Sequence, residues 1–142
     1  MGSSGEDAPG YAPAAEELAV AELLAADVRD RWRTLLATPK GRVKAIAELS
    51  EFVKWLDPHR RLPVARDATE GSISVWLRDQ GAPKDCRLMS ERAALDGREM
   101  PLIDALKATA AGGVGSLLLC VPGKLIYYQH PTVDIRFAVR KK

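Results

Sequence analysis

Apolar residues recur at helical spacing through the first half of the chain. From Ala14 onward an apolar side chain returns every three or four residues, which is typical of the buried stripe of an amphipathic helix. That stripe comprises Leu18, Ala21, Ala25, Val28, Trp32 and Leu35. Because the ring of Pro39 cannot continue a helix, the pattern predicts a first helix that ends before it.

Two further helices are predicted before residue 84. Between Gly41 and Leu56 the apolar positions cover more than one narrow face, which is typical of a helix packed between two partners. Asp67 resembles an N-cap because Glu70 follows three residues later, as in a capping box. Gly81 then ends this third helix.

In the second half of the chain, the pattern of apolar residues becomes that of β-strands. Residues 86–90 form a short predicted strand, and Pro101 suits the first position of a short helix. The uninterrupted apolar run at 116–121 is typical of a central strand buried on both faces. Residues 124–129 and 135–140 complete a predicted β-meander, and the alternation in the last strand indicates one face in water.

These patterns predict an α+β fold. About three N-terminal helices would pack on a C-terminal antiparallel sheet of three to four strands, with one short helix inserted before the terminal β-meander. A chain of 142 residues favours one domain, here residues 14–142, with a helical part at 14–83 and a β-rich part at 84–142. Residues 1–13, rich in glycine, serine, proline and alanine, are predicted to be disordered.

Charge and cysteine content narrow the class of protein. The 21 basic and 19 acidic side chains leave a net charge of +2, so no global field would steer a polyanion to the surface. We found no secretory signal and no apolar run that could span a bilayer, so we expect a cytoplasmic protein without a membrane partner. Cys86 and Cys120 lie in apolar runs and are expected to be buried free thiols, with a disulfide between neighbouring strands as the alternative.

Polar residues are densest near the end of the predicted strand at 86–90. A small enzyme with a pocket there is the first alternative function, because sites often collect at strand ends. Its residues would be Ser90, Glu91, Asp96, Arg98, Tyr128 and His130. A network of loop salt bridges is the plainer interpretation. The two histidines are not clustered with carboxylates or cysteines, so we expect no metal and no cofactor.

Basic residues on the first two helices suggest nucleic-acid binding as a second alternative. They are Arg29, Arg31, Arg33, Lys40, Arg42 and Lys44, followed by Arg60 and Arg61 in the next loop. Asp30 and Glu48 dilute their field, and the second helix is too apolar to lie exposed in a groove. We therefore do not favour this alternative.

Trp55 lies off the main apolar stripe, between Lys54 and Leu56. A surface tryptophan is a frequent anchor at protein interfaces, so Trp55, with Arg60 and Arg61, is the candidate partner contact. Partial burial of Trp55 against the following loop is the alternative. No catalytic motif stands out, and the leading hypothesis is a non-catalytic protein-binding module with an adaptor, regulatory or immunity-type role. Self-association through the N-terminal helices would be its simplest form.

Overall fold

The computed structural model describes residues 14–56, 58–64, 67–112, 115–130 and 136–140. The predicted disorder of residues 1–13 lies outside these ranges. Within them the protein is α+β, with more helices and more strands than the sequence indicated. The α-helices are α1 (Ala15–Leu18), α2 (Ala26–Leu36), α3 (Pro39–Ala47), α4 (Glu70–Asp79) and α5 (Leu102–Gly112). Three 3-10 segments cover Ala19–Leu23, Leu49–Trp55 and Pro58–Arg60. The strands are β1 (Arg61–Pro63), β2 (Asp85–Ser90), β3 (Glu99–Pro101), β4 (Ser116–Val121), β5 (Leu125–Gln129) and β6 (Arg136–Arg140).

The first predicted helix is interrupted at Leu24. Leu24 forms an antiparallel bridge with Leu56, and the amide of Ala25 donates to the carbonyl oxygen of Trp55 at 2.8 Å. No glycine or proline marks this break. A tertiary contact to a segment thirty residues away has overridden the local helical preference.

The second predicted helix is also divided. α3 begins at Pro39, where the hydroxyl of Thr38 accepts a hydrogen bond from the amide of Gly41 at 3.0 Å. It ends at Ala47, and a 3-10 segment continues from Leu49. Pro39 therefore opens a helix as well as preventing extension of the one before it, as its fixed φ and missing N–H allow at a first helical position.

The third predicted helix is α4, and its start differs from the prediction. The N-cap is Thr69, not Asp67, and it forms a reciprocal capping box with Ser72. At the other end Gly81 has a φ of 109°, which confirms that a glycine ends this helix.

The six strands of the described residues form one antiparallel sheet in the order β1-β6-β5-β4-β2-β3. The prediction of three to four strands missed the two edges. β1 comes from the part of the chain expected to be helical and pairs with β6, and β3 pairs with β2. Each edge strand has only three residues and ends in a proline, so each edge offers little backbone for pairing with another chain.

Side chains alternate between the two faces of this sheet. The first face contributes Met89, Leu117, Leu119, Ile126, Tyr128, Phe137 and Val139 to one apolar cluster. The second face contributes Cys86, Leu88, Leu118, Cys120, Tyr127 and Ala138 to another cluster. The alternation along β4 confirms that this strand is buried on both sides.

Helices cover both faces, and the chain has three layers. The first face is packed by residues of α2 and the 3-10 segments, including Trp32, Leu49 and Phe52. α4 and α5 pack on the second face, so α4 lies on the opposite side of the sheet from α2. Ala138 of β6 is consequently buried beneath this layer instead of facing water. In the described part of the chain, no helix combines the length and apolarity needed to cross a membrane.

Candidate functional site

A buried carboxylate on α1 lies at the centre of an ion-pair network between the helices and the sheet. Glu17 accepts from Nε and Nη2 of Arg42 at 2.7 and 2.9 Å, and from Nε of Arg87 at 3.0 Å. Arg42 also donates to both carboxylate oxygens of Asp96 at 2.6 and 2.9 Å. We call these four residues, Glu17, Arg42, Arg87 and Asp96, the Glu17 network.

Arg42 is the connecting residue of the Glu17 network. Its hydrogen bonds to Glu17 and then to Asp96 raise the pKa of its guanidinium well above the usual value. The side chain of Glu17 is only 3% exposed, so the carboxylate depends on its two arginines for compensation. Two arginines balance two carboxylates, and the network joins α1, α3, β2 and the turn before β3.

Ser90 is fully engaged at the end of β2. Its amide donates to Oδ1 of Asp96 at 3.1 Å, and its hydroxyl lies 3.0 Å from that of Ser116 on β4. The amide of Arg92 also donates to the Ser90 hydroxyl, at 3.1 Å. None of these contacts is with a base that would activate the hydroxyl as a nucleophile.

Glu91 holds the backbone that leads into β4. Its Oε1 accepts from the amide of Gly115 at 2.7 Å. A Cβ at Gly115 would lie 2.9 Å from that oxygen and 3.0 Å from the backbone of Leu49 and Ser50, so a larger residue would have to displace the Glu91 side chain and shift this backbone. Within the described residues Glu91 has no ion-pair partner, which leaves its negative charge uncompensated.

Tyr128 lies behind Glu91 on the first face of the sheet. Its hydroxyl donates to the carbonyl oxygen of Leu49 at 2.7 Å. Burial, and secondarily the charge of Glu91, raise the pKa of this phenol above its usual value. The phenol is therefore protonated at neutral pH, as its hydrogen bond to Leu49 requires.

A small pocket lies between α3 and the end of β2, with a volume of about 150 Å³. We call it the α3 pocket. It is lined by Arg42, Val43, Ile46, Ser90, Glu91, Ala93 and Asp96. Val43 at its rim is 69% exposed, the highest value among the large apolar side chains that the structure describes.

The structure brings together half of the sequence-predicted pocket. Ser90, Glu91 and Asp96 line the α3 pocket, whereas Arg98, Tyr128 and His130 do not. Ser90, Ser116 and Gln129 occupy one row of the sheet, so Glu91 and His130 follow at the same sheet end. They are separated by the intervening strand β4, which corresponds to about 10 Å at ordinary strand spacing.

The predicted partner-contact residues are only partly available. Trp55 is half-buried against Trp32 and Phe52, with ring centroids 5.5 and 5.9 Å away. Arg60 donates to the carbonyl oxygen of Glu22 at 2.7 Å, and the guanidinium of Arg61 lies 5.5 Å from the ring centre of Phe137. The three side chains are thus held by contacts within the chain.

Most arginines of the predicted basic surface are paired with acidic groups or carbonyl oxygens. Arg29 donates to the carbonyl of Leu24, Arg31 pairs with Glu48, and Arg33 pairs with Glu22 and Asp30. Arg42 belongs to the Glu17 network. The acidic partners of Arg31, Arg33 and Arg42 reduce the positive charge available to a phosphate backbone.

A wider depression of about 550 Å³ lies beside α1. Its lining is apolar apart from Glu22 and Arg33, which form an ion pair with each other. The depression therefore presents no uncompensated charge from which a ligand class could be inferred.

Glu17 and Arg87 were missed by the sequence analysis. Glu17 lies 25 residues from Arg42 and 70 from Arg87, and Arg42 lies 54 from Asp96. No local motif links positions so far apart. The only signal was a charged residue adjoining the apolar stripe of the first helix, and many exposed glutamates share that feature.

No protein-family model, no curated protein and no solved structure matches this chain. The interpretation of the site therefore depends on its geometry. In the part of the chain that the structure describes, no group of three or more histidine, cysteine or acidic side chains could hold a metal ion.

Proposed function

We propose that this protein is a cytoplasmic, non-catalytic protein-binding module. The polar groups of the candidate site support this function, because they hold the fold together. Ser90 bonds Ser116, Glu91 bonds Gly115, Asp96 bonds Arg42, and Tyr128 bonds the carbonyl of Leu49. A catalytic group must instead be free to contact a substrate atom.

The size of the α3 pocket also favours binding of a side chain over binding of a substrate. Its volume is about 150 Å³. Small-molecule sites usually enclose about 300–1,000 Å³. The α3 pocket is thus suited to one side chain of a partner protein.

The proposal is carried by an exposed apolar residue and a carboxylate that line one pocket, the carboxylate having no ion-pair partner among the described residues. Val43 is 69% exposed and Glu91 lines the same pocket. Arg42 and Asp96, the other charged residues of the pocket, compensate each other, so the pocket retains the negative charge of Glu91. We propose that it binds a lysine or arginine of a partner segment, with an apolar neighbour of that residue packing on Val43 and Ile46.

The short edges of the sheet support docking on a helix face. β1 and β3 each have three residues with a proline at the end, so strand addition would gain few hydrogen bonds. α3 is different, because its outward positions Lys40, Val43, Lys44 and Ala47 are all exposed. In the same layer, the exposed guanidinium of Arg31 lies 5.8 Å from the ring centre of the half-buried Trp55.

The proposal can be tested with two matched valine variants. The full chain, tagged at its C terminus, is purified from the cells that encode it, with and without nuclease, and its molar mass is measured by light scattering. Val43→Asp should reduce the amount of a stoichiometric partner that co-purifies at least about tenfold, because it removes one well-placed apolar anchor. Val75→Asp alters a valine that is 63% exposed on α4 and should leave binding unchanged.

A charge variant tests the class of the partner segment. Glu91→Gln keeps an oxygen to accept from Gly115 but removes the charge, so it should weaken binding and reduce its dependence on salt. Equal binding by wild type, Val43→Asp and Glu91→Gln would overturn the docking surface. A monomer that co-elutes with no partner would overturn the proposed protein-binding function. Co-elution that nuclease abolishes would instead support binding of nucleic acid. A homo-oligomer lost only in Val43→Asp would identify a second copy as the occupant.

A further inference from the structure

Two buried thiols face each other across neighbouring strands. Cys86 lies on β2 and Cys120 on β4, which are adjacent in the sheet. Arg87 pairs with Leu119, so the next position outward places Cys86 opposite Cys120. Both side chains belong to the apolar cluster on the second face, and both cysteines are free. The sequence left open whether the two cysteines are free thiols or form a disulfide between neighbouring strands. In the structure they are free thiols on adjacent strands.

The backbone spacing suits a covalent link between them. Facing residues of an antiparallel pair have Cα atoms about 4.5 or 5.5 Å apart, depending on the hydrogen-bonding type of the pair. Disulfides span Cα distances of about 4.4–6.8 Å, so both types fall within range. The pairing of β4 with β5 also shifts register between Leu119 and Val121. Cys120 therefore lies at the irregularity in the pairing of β4 with β5.

The two thiols also differ in acidity. A hydrogen bond between them lowers the pKa of Cys86 and, together with burial, raises the pKa of Cys120. A thiolate is the nucleophilic form of cysteine, so Cys86 is suited to react first. Cys120, in contact with it, is placed to resolve the product.

We propose that Cys86 and Cys120 form an oxidisable dithiol, which a small hydroperoxide converts reversibly to a disulfide between β2 and β4. This inference is independent of the proposed binding function. The two residues are 1% and 3% exposed, so the oxidant reaches them through local opening of the sheet end near the exposed residue Asp85.

The reaction balances in two steps. The Cys86 thiolate attacks one peroxide oxygen, the O–O bond breaks, and the departing alkoxide or hydroxide takes up a proton, leaving a sulfenic acid on Cys86. The sulfur of Cys120 then attacks the sulfur of Cys86, the S–O bond breaks, and water leaves with the proton of Cys120. The two thiols supply two electrons, and the peroxide bond accepts them.

The test compares native and unfolded protein exposed to the same oxidant. Reduced full-length protein is treated with hydrogen peroxide in buffer or in concentrated urea, then denatured and alkylated. Mass spectrometry of the intact protein and of its peptides follows. We expect the native protein to lose two hydrogens, to resist alkylation and to yield a peptide linking Cys86 to Cys120. The native protein should also yield a larger share of the intramolecular disulfide, relative to intermolecular and over-oxidised products, than the unfolded chain, because the fold holds the two sulfurs together.

Single variants distinguish two thiols that react with each other from two thiols that react independently. Cys86→Ala should form no disulfide and react slowly, whereas Cys120→Ala should accumulate a sulfenic acid that dimedone traps. Dithiothreitol should restore both thiols of the oxidised wild type. Alkylation of both thiols after peroxide treatment of the native protein would overturn the proposal. So would a disulfide formed only in urea or only between molecules. These outcomes are read on the wild type and do not require the variants to fold.

Discussion

The first face of the sheet carries a chain of five aromatic rings and a buried ion-pair network, whereas the second is packed mainly by aliphatic side chains and two thiols. The rings of Trp55, Trp32, Phe52, Tyr128 and Phe137 follow one another with centroids 5.3–5.9 Å apart. On the second face, α4 and α5 pack residues such as Ile73, Leu77 and Leu106 on the strands.

The two layers also differ in how far apart their contacts lie along the chain. On the first face, Glu17 meets partners 25 and 70 residues away, and Tyr128 bonds a carbonyl 79 residues away. On the second face, α4 and α5 directly precede β2 and β4, respectively. The comparison indicates that directional polar contacts position the first layer, and that local amphipathic pattern with helix caps positions the second.

The largest expected effect comes from removing the central cation of the first layer. Arg42→Met should destabilise the protein by about 3–5 kcal/mol, because it leaves the buried carboxylate of Glu17 poorly compensated. Urea denaturation measures the free energy of unfolding. Arg31→Met serves as the control, since its pair with Glu48 is 47% and 33% exposed and should contribute less than about 1 kcal/mol.

A double variant sharpens this prediction. Adding Glu17→Met to Arg42→Met removes the buried charge as well as its partner, so part of the lost stability should return. Equal stability of wild type and the single Arg42→Met variant would show that the Glu17 network does not hold the first layer.

Alanine substitutions at two helical glycines, one in each layer, allow the layers to be compared directly. A Cβ at Gly41 of α3 would lie 2.1 Å from the carbonyl oxygen of Leu35, whereas one at Gly71 of α4 would meet only the hydroxyl of Thr69, at 3.8 Å. Gly41→Ala should therefore cost about 1–3 kcal/mol through overpacking of α2 and α3. Gly71→Ala should stabilise by up to about 1 kcal/mol through helix propensity.

Thermal unfolding followed by circular dichroism distinguishes these two variants, since their melting temperatures should move in opposite directions. A fall of similar size in both would contradict the close contact between α2 and α3 and would remove this contrast between the layers.

Tyr128→Phe tests the link between the sheet and the 3-10 segment at Leu49. The variant should lose about 1–2 kcal/mol, because the buried carbonyl of Leu49 loses its donor. The phenol of the unfolded chain titrates near pH 10, and the folded pKa is higher, so the unfolded state loses its proton first as pH rises. The stability due to Tyr128 is present below about pH 10 and decreases above it.

The measurement is urea denaturation of wild type and Tyr128→Phe between neutral pH and pH 11. The difference in free energy of unfolding between the two proteins should shrink as the pH rises above about 10. A constant difference across this range would mean that the folded phenol titrates like the unfolded one.

The smallest effect is expected at the cap of α4 in the second layer. Thr69→Ala removes the hydroxyl that accepts from the amide of Ser72 at 3.1 Å, and should cost about 1 kcal/mol. Asp67→Ala alters the N-cap suggested by the sequence and should have a smaller effect. Urea denaturation of both variants checks this, and a larger loss for Asp67→Ala would reverse the assignment of the cap.

Several elements were predicted from the sequence because their signals are local. The strand at 116–121 was recognised as a run of apolar residues bounded by glycine and proline, and the following turn has Gly123 at a φ of 70°. Of the six residues proposed for a pocket, Ser90, Glu91 and Asp96 line the α3 pocket, and all three lie within seven residues of one strand end.

Other features depended on partners that are remote along the chain. The break at Leu24 follows from its bridge to Leu56, and the edge strand β1 exists because β6 is there to pair with it. The role of Arg42 changed as well: it was a candidate for nucleic-acid contact, but Glu17 and Asp96 neutralise it.

The sequence by itself determined the α+β class, the terminal β-meander and, to within a residue, the bounds of β2, α5, β4, β5 and β6. Periodicity, caps and turn residues act over a few positions and can be recognised in one chain. Only the tertiary structure decided which face each helix covers, which carboxylates are compensated, and that Cys86 meets Cys120. These features depend on the strand order and on contacts between residues tens of positions apart. Sequences with the same local pattern could form different contacts of this kind.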